Sequence, residues 1–359
     1  MGLTRDNTLA IIKISKHQYY YKPTSTRSGR KPSETTLRKV KKQKTEVPNQ
    51  DVIEDIKTIQ SDIDTDYGYR KMCAALMLMG YFINHKKVYR LMKQELLLKE
   101  RYKKQDKTYA KYRIVTPSKP LELIEMDIKY VWIEQEKRYA FILNIIDTFT
   151  RHILYWSVDF QMKSTDVKIA WEQVIKEHLQ PANMLNRKID IEIRNDNGPQ
   201  FGSKMIQDFF AENYLNQVFT HPYTPQENGH VESFHQILSS SISGTIFWNL
   251  EELRLRLTVF YEKYNNTRLH SSIANLPPRI FWDLWEEKLI SRIELPKKRV
   301  KFKLKIPYQE VLSGNKNLRE ASCLDFERFK TEQNTSKEVN ELKTLLQSSV
   351  QKSPSIASC

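Results

Sequence analysis

Cysteine is scarce in this chain of 359 residues: there are three, Cys73, Cys323 and Cys359. An odd number at such wide spacing excludes a disulfide framework and a C-x-x-C metal pair, so these thiols read as reduced and structural. Glycine is also sparse, at 9, while hydrophobic residues make up 40% of the chain, enough to build the cores of two or three domains. No apolar run approaches transmembrane length. The opening Met-Gly-Leu-Thr-Arg-Asp has no signal-peptide apolar core, and Asp6 stands where a myristoylation signal needs Ser or Thr. The expectation is a soluble cytoplasmic protein with no membrane partner, associated with the nucleoid if bacterial. Acidic residues are the minority charge: 43 Asp and Glu face 58 Lys and Arg, a formal charge of +15. Such a balance favours a polyanion through counterion release.

What is present divides along the chain. Residues 1–22 form a short N-terminal piece with a helical stretch from 8 to 21 and Ser15 as its N-cap. Residues 23–50, with eight Lys and Arg against two Glu, read as a basic linker. From 51 to 98 the period is helical: Ala75, Leu76 and Met79, then Val88, Leu91 and Met92, flank Gly80 to Asn84. Gly80 can end one helix and Asn84 can cap the next, an all-α helix-turn-helix layout. Its second helix would offer His85, Lys86, Lys87, Arg90 and Lys93 to a major groove. A second basic linker, 99–120, leads into 121–285. There, strand-like runs at Leu121 to Ile133, Tyr139 to Asp147 and His152 to Val158 precede alternating helices and strands, which suits an RNase H-like α/β mixed sheet with flanking helices. Residues 286–312 are a basic extension with a strand-forming patch at Lys297 to Pro307. The tail, 313–359, is polar and expected to be mostly disordered, apart from a transient helix over Val339 to Leu346.

Three acidic positions carry the chemistry. In the first run Ile124, Met126, Ile128, Tyr130 and Trp132 alternate onto one face, which puts Asp127 on the other. Asp196 ends a strand whose apolar face is Ile189, Ile191 and Ile193, just before Asn197-Gly198 turns the chain. Glu232 lies on a helix after Asn228-Gly229, with 35 residues between it and Asp196. On that helix Asn228, Glu232, His235 and Ser239 share one face, and Val231, Phe234, Leu238 and Ile242 make the buried stripe. Carboxylates brought together repel one another and retain protons near neutral pH unless hard cations neutralise them. Asp147 and Asp190 sit beside strand ends and are read as structural rather than catalytic.

The chain resembles the D-D-E polynucleotidyl transferases, and more closely the OrfB-type, second-frame transposases of the third numbered insertion-sequence family. The likeness rests on Tyr67-Gly68-Tyr69-Arg70 and Asn84 to Met92 for the helix-turn-helix, and on Asp127, Asp196-Asn197-Gly198, Gln200-Phe201 and Pro225 to Phe234 for the core. The later word Tyr264 to His270, with Pro277-Pro278, belongs to the same pattern. The resemblance covers about residues 8 to 285. It implies an integrase-like catalytic core in which Asp127, Asp196 and Glu232 hold two Mg²⁺ or Mn²⁺ ions. It also implies double-stranded DNA as partner, both terminal repeats and target, with DNA contacts from Asn228, His235, Arg268 and His270, the last two to phosphate. The activity implied is cleavage of element ends and transfer of a 3′-hydroxyl to a target phosphodiester, by a homo-oligomer on DNA that can be fused to, or partnered by, an upstream-frame product. One departure is Ser239, where the family usually has Lys or Arg seven residues after the catalytic Glu. Retroviral relatives carry a His-His-Cys-Cys zinc cluster, but residues 1–110 hold only His17, His85 and Cys73 for it. The alternative function is a non-catalytic DNA-binding repressor or remnant of the element.

Overall fold

The computed structural model describes residues 4–22, 32–40, 43–65, 67–99, 116–220, 228–296 and 299–312. Residues 23–31, 41, 42 and 100–115 of the two linkers, the helix expected at Val339 to Leu346 and the whole tail lie outside these residues, as do Pro225, Gln226 and Glu227. Among the described residues no helix is long and apolar enough to cross a membrane.

The N-terminal piece is two short helices, α1 (Arg5–Ile11) and α2 (Lys16–Tyr20), and Ser15 caps the second by accepting from the Gln18 amide. Part of the stretch read as a linker is paired structure instead. Strands β1 (Thr35–Val40) and β2 (Gln43–Pro48) form an antiparallel hairpin, and β1 pairs again with β3 (Tyr81–Phe82). Composition hid these strands, because their outer face is solvated and polar, and only Thr36 is fully buried in β1. Helices α3 (Asn49–Ser61), α4 (Tyr69–Leu78) and α5 (His85–Gln94) follow. Gly80 turns the chain between α4 and β3 at φ +94°, and a Cβ there would lie 2.5 Å from the Lys39 carbonyl oxygen, so only glycine fits. Asn84 accepts from the Lys87 amide at 2.9 Å and starts α5.

The second body is a five-stranded sheet in the order β6-β5-β4-β7-β8. Strands β4 (Leu123–Ile133), β5 (Arg138–Asp147) and β6 (Ile153–Asp159) form an antiparallel meander; β7 (Ile191–Asn195) lies parallel to β4, and β8 (Leu215–Phe219) parallel to β7. Helix α6 (Ser164–Val174), continued by a π turn over Ile175–Leu179, and α7 (Lys204–Glu212) cover one face, where Trp171 and Phe210 pack on Met126, Leu143 and Ile193. Helices α8 (Gly229–Ile242) and α9 (Leu250–Asn266) cover the other through Val231, Phe234, Leu257 and Tyr261. The alternation of β4 therefore delivers Asp127 to the α8 side. Sheet order, mixed direction and helices on both faces make this an integrase-type, RNase H-like α/β core.

The C-terminal segment is not a loose extension. Helix α10 (Pro278–Glu286), the hairpin of β9 (Ile290–Leu295) and β10 (Arg299–Leu304), and α11 (Tyr308–Val311) contribute Ile280, Phe281, Leu284, Ile290 and Val311 to the same core as Ile56, Met72, Leu76 and Met92 of α3 to α5. Three short helices bury too little surface alone, and the borrowed residues complete them. An ionic cluster also ties the turn after α3 to the catalytic helices. Asp64, 3% exposed, meets Arg256 at 2.6 Å and accepts from Ser241, while Lys263 reaches Asp62 at 3.0 Å. Burial alone would raise the Asp64 carboxyl, but hydrogen bonds from Arg256 and Ser241 and the charges of Arg256 and Lys263 outweigh it and hold it below its ordinary 3.8.

A depressed carboxyl contributes stability above its unfolded pKa and loses it as pH falls through the folded value. The urea midpoint of the chain is therefore expected to fall as pH drops below about 4, and Asp64→Ala should lack that component. At pH 7 the substitution strands Arg256 and should cost about 3 to 5 kcal/mol in urea denaturation. A loss under 1 kcal/mol would show that the cluster is only a surface pair.

Candidate active site

Asp127 lies mid-strand in β4, opposite Asn144 of β5. Asp196 follows the last residue of β7, and Glu232 lies in the first turn of α8. The three share the α8 side of the sheet. Their proximity is felt electrostatically: burial pushes the Asp127 carboxyl up to about 7, and the charges of Asp196, Glu232 and Glu125 add to the rise. Glu232 is raised as well, by burial and by the charge of Glu125. Among the described residues no three His, Cys, Asp or Glu side chains converge as a preformed metal-binding group. The first two carboxylates instead turn to backbone amides. Asp127 accepts from Ile128 at 2.8 Å, and Asp196 from Gly198 at 3.0 Å. The latter closes the turn after β7, where a Cβ on Gly198 would come 3.0 Å from the same oxygen.

The second tier of the site was not read from the sequence. Glu125, two residues before Asp127 on the same strand face, is 1% exposed and accepts from the amides of His230 and Val231 at 3.0 and 2.8 Å. Burial pushes its carboxyl up to about 7. The available signal was its parity with Asp127 inside an apolar strand. Asn144, fully buried, donates to the Ile142 carbonyl and stands 3.0 Å from His235 Nε2, while its Oδ1 accepts from the Tyr261 hydroxyl. That acceptor role fixes the Asn144 amide orientation, so His235 Nε2 accepts and Nδ1 carries the proton, 3.5 Å from Asp127 Oδ2. Burial, helped by the charge of Lys129, lowers His235 to about 4, so the ring is neutral at pH 7. No spacing rule in the sequence links these residues, since Asn144 and Tyr261 meet only through the fold.

The residues expected to touch DNA divide. His85, Lys86 and Lys93 are exposed on α5. Lys87 is engaged instead with Ser33 Oγ at 3.0 Å and the Thr35 carbonyl at 2.6 Å, and Arg90 with the Ser33 carbonyl at 3.1 Å. Arg268 and His270, expected at phosphate, are each only 7% exposed. Arg268 donates to the Asp64 carbonyl, and His270 packs edge-on against Tyr264. Both belong to the junction between the helical body and the core, because Arg268 and Leu269 meet Asp64 and Tyr67 in the segment between α3 and α4. Asn228 is also buried, at the N-cap of α8, with no cap bond from its side chain. His235 faces Asp127 rather than solvent, and Ser239 donates to the His235 carbonyl at 2.7 Å, so its hydroxyl is spent on its own helix. Asp147 is fully buried, accepting from the Leu121, Phe149 and Thr150 amides and the Thr150 hydroxyl. Asp190 is exposed and accepts from Asn216.

Family models described as "Integrase core domain" match residues 117–225 and 213–278, and one described as "HTH-like domain" matches residues 48–105. An uncharacterized 39.2 kDa protein of insertion element IS476 from Xanthomonas euvesicatoria is 27% identical, over 60% of this chain and 60% of its own length. The "Putative transposase InsK for insertion sequence element IS150" of Escherichia coli is 26% identical over 59% of this chain and 76% of its own. The catalytic core domain of BIV integrase aligns with a TM-score of 0.33 at 18% identity, over 47% of this chain and 97% of that one. At that score the sheet order, not the superposition, defines the fold. The chain thus matches an HTH-like domain and an integrase core domain, and is similar to proteins of insertion elements.

Asp147 and Asp127 are expected to respond oppositely to amide substitution. Asp147→Asn turns an NH₂ toward donors and should cost about 1 to 3 kcal/mol in urea denaturation. Asp127 has a raised folded pKa, so its ionisation opposes folding as pH climbs from its ordinary 3.8 toward 7. In EDTA at pH 8, Asp127→Asn should therefore raise the urea midpoint, with the gain fading toward pH 4. A lowered midpoint at pH 8 would contradict the crowding of charge around Asp127.

Proposed function

We propose that this chain is a DNA transposase, a metal-dependent polynucleotidyl transferase that cleaves insertion-element ends and joins the freed 3′-hydroxyl to a target phosphodiester. The observation that carries the reading is the placing of Asp127 on β4, Asp196 just after β7 and Glu232 in the first turn of α8, in an integrase core that follows an HTH-like domain. The donor set fits a hard divalent cation. All three groups are carboxylates, and Asp127 is held near neutrality by burial and by its neighbours' negative charge, which a cation would relieve. Asp127 and Asp196 would share two Mg²⁺ or Mn²⁺ ions, with Glu232 completing one. When bound, two such ions activate the attacking oxygen and offset charge on the leaving one.

The chain's own residues supply positioning. Neutral His235, fixed by Asn144, holds its Nδ1 3.5 Å from Asp127 Oδ2, from where it would orient that carboxylate. Binding of terminal repeats falls to α5 and the neighbouring hairpin. His85, Lys86 and Lys93 face outward, and the β1–β2 hairpin, tied to α5 by Lys87 and Arg90, carries the cross-strand pair Lys39 and Lys44. That places positive charge along two adjacent elements, as a DNA backbone requires. The chain fits the second-frame, OrfB-type product, acting as a homo-oligomer on DNA with an upstream-frame fusion or partner. A non-catalytic remnant would leave the crowding of charge at Asp127 without a use.

Cleavage of element-end DNA should require Mg²⁺ or Mn²⁺ and vanish in excess EDTA. Asp127→Asn, Asp196→Asn and Glu232→Gln should each lower the rate by orders of magnitude while DNA binding persists. Activity in EDTA equal to that in Mg²⁺ would refute the mechanism.

Lys86→Ala with Lys93→Ala should weaken binding and reduce the slope of log K against log salt by about 2 units, read by fluorescence anisotropy. An unchanged slope would move the DNA contacts off α5.

A further inference from the structure

We propose that Glu125 is the positioning residue of the site. Its carboxylate seats the first turn of α8 on β4 and so sets Glu232 against Asp127, without itself holding metal; this rests on the metal-site reading above. A helix begins with amides that lack intrahelical partners, and a side chain at the N-cap ordinarily answers them. Here the N-cap residue, Asn228, makes no such bond, and its buried Oδ1 has no hydrogen-bond partner among the described residues. The amides of His230 and Val231 donate instead to one oxygen of Glu125, from a strand more than a hundred residues earlier. The other oxygen lies 2.8 Å from His230 Nδ1.

The geometry has two consequences. Glu232 is the residue next to Val231, so the bond that docks Val231 also sets where Glu232 leaves the helix. Glu125 and Asp127 are i and i+2 on one strand, roughly 7 Å apart along it, so a single rigid strand carries both the first carboxylate and the seat of the third. Both oxygens of Glu125 are taken up by His230 and Val231 of α8, and its side chain is 1% exposed. A negative group at a helix N-terminus is also favoured by the helix dipole, and charge-assisted bonds to amides are among the stronger ones.

Mn²⁺ binding to the full-length chain without DNA, followed by electron paramagnetic resonance, tests this, together with hydrogen exchange at the His230 and Val231 amides. Glu125→Gln keeps the seat, because its amide oxygen can accept from both backbone groups while its nitrogen donates to His230 Nδ1. Mn²⁺ affinity should stay within about threefold and exchange should be unchanged. Glu125→Asp keeps the charge but draws the oxygens back by about 1.5 Å. It should weaken Mn²⁺ binding by about tenfold to a hundredfold and speed exchange at both amides. The reverse order, with Glu125→Gln losing affinity and Glu125→Asp retaining it, would make Glu125 a ligand and overturn the proposal. Loss in both, or in neither, would overturn it too. Asp127→Asn serves as the control: if it leaves Mn²⁺ affinity intact, the metal-site reading itself fails, whereas a loss there beside intact Glu125→Asp defeats only the positioning role.

Discussion

The docking of α8 on the central strand β4 is the contact on which the core depends. β4 is paired on both sides, antiparallel to β5 and parallel to β7, so its position in the sheet is set by two ladders at once. One of its faces buries Ile124, Met126 and Ile128 against α6 and α7; the other carries Glu125 and Asp127 into a region that α8 closes. Ionised carboxylates in such a place are unfavourable without compensation, which explains why burial raises both toward neutrality. The compensation differs between the two. Glu125 is answered by helix amides, whereas Asp127 has one amide of its own and a neutral imidazole at 3.5 Å. The unequal treatment separates a group that is satisfied by the protein from one that is left for an outside charge.

The helical body and the catalytic core are coupled rather than strung together. They share the apolar cluster completed by α10 and α11, and the Asp64, Arg256 and Ser241 contacts fasten the turn after α3 to α8 and α9. Tyr67 adds a further tie by accepting from the Leu269 amide at 2.8 Å. Because α8 also bears Glu232, the same helix is held at its start by β4 and near its end by the ionic cluster. A DNA end gripped by α5 would thus meet the carboxylates at a set separation, with the chain bending only where no such ties exist.

Much of this protein could be read directly. The alternation in β4, the apolar stripe of α8, Asn84 as a cap and Gly80 as a turn are local consequences of period and of backbone chemistry, and each element stands where its pattern puts it. The words around Asp127, Asp196 and Glu232 singled them out because strand parity and a Gly-containing turn act over a few residues. The β1–β2 hairpin escaped, since solvated basic strands have the composition of a tether. Its register with β3 is a long-range pairing that no window contains.

What only the tertiary structure decided are the roles that depend on who meets whom. Arg268 and His270 have the residue types of phosphate ligands, yet they are buried at the junction with Asp64 and Tyr264. Glu125 has the type of a surface charge, yet it answers the amides of a helix more than a hundred residues away. Residue type and spacing determined the elements and the carboxylate set, because those follow from local sterics and periodicity. Which charges face solvent, which face one another and which cap a distant helix was decided by packing, because burial and partner distance are properties of the folded whole.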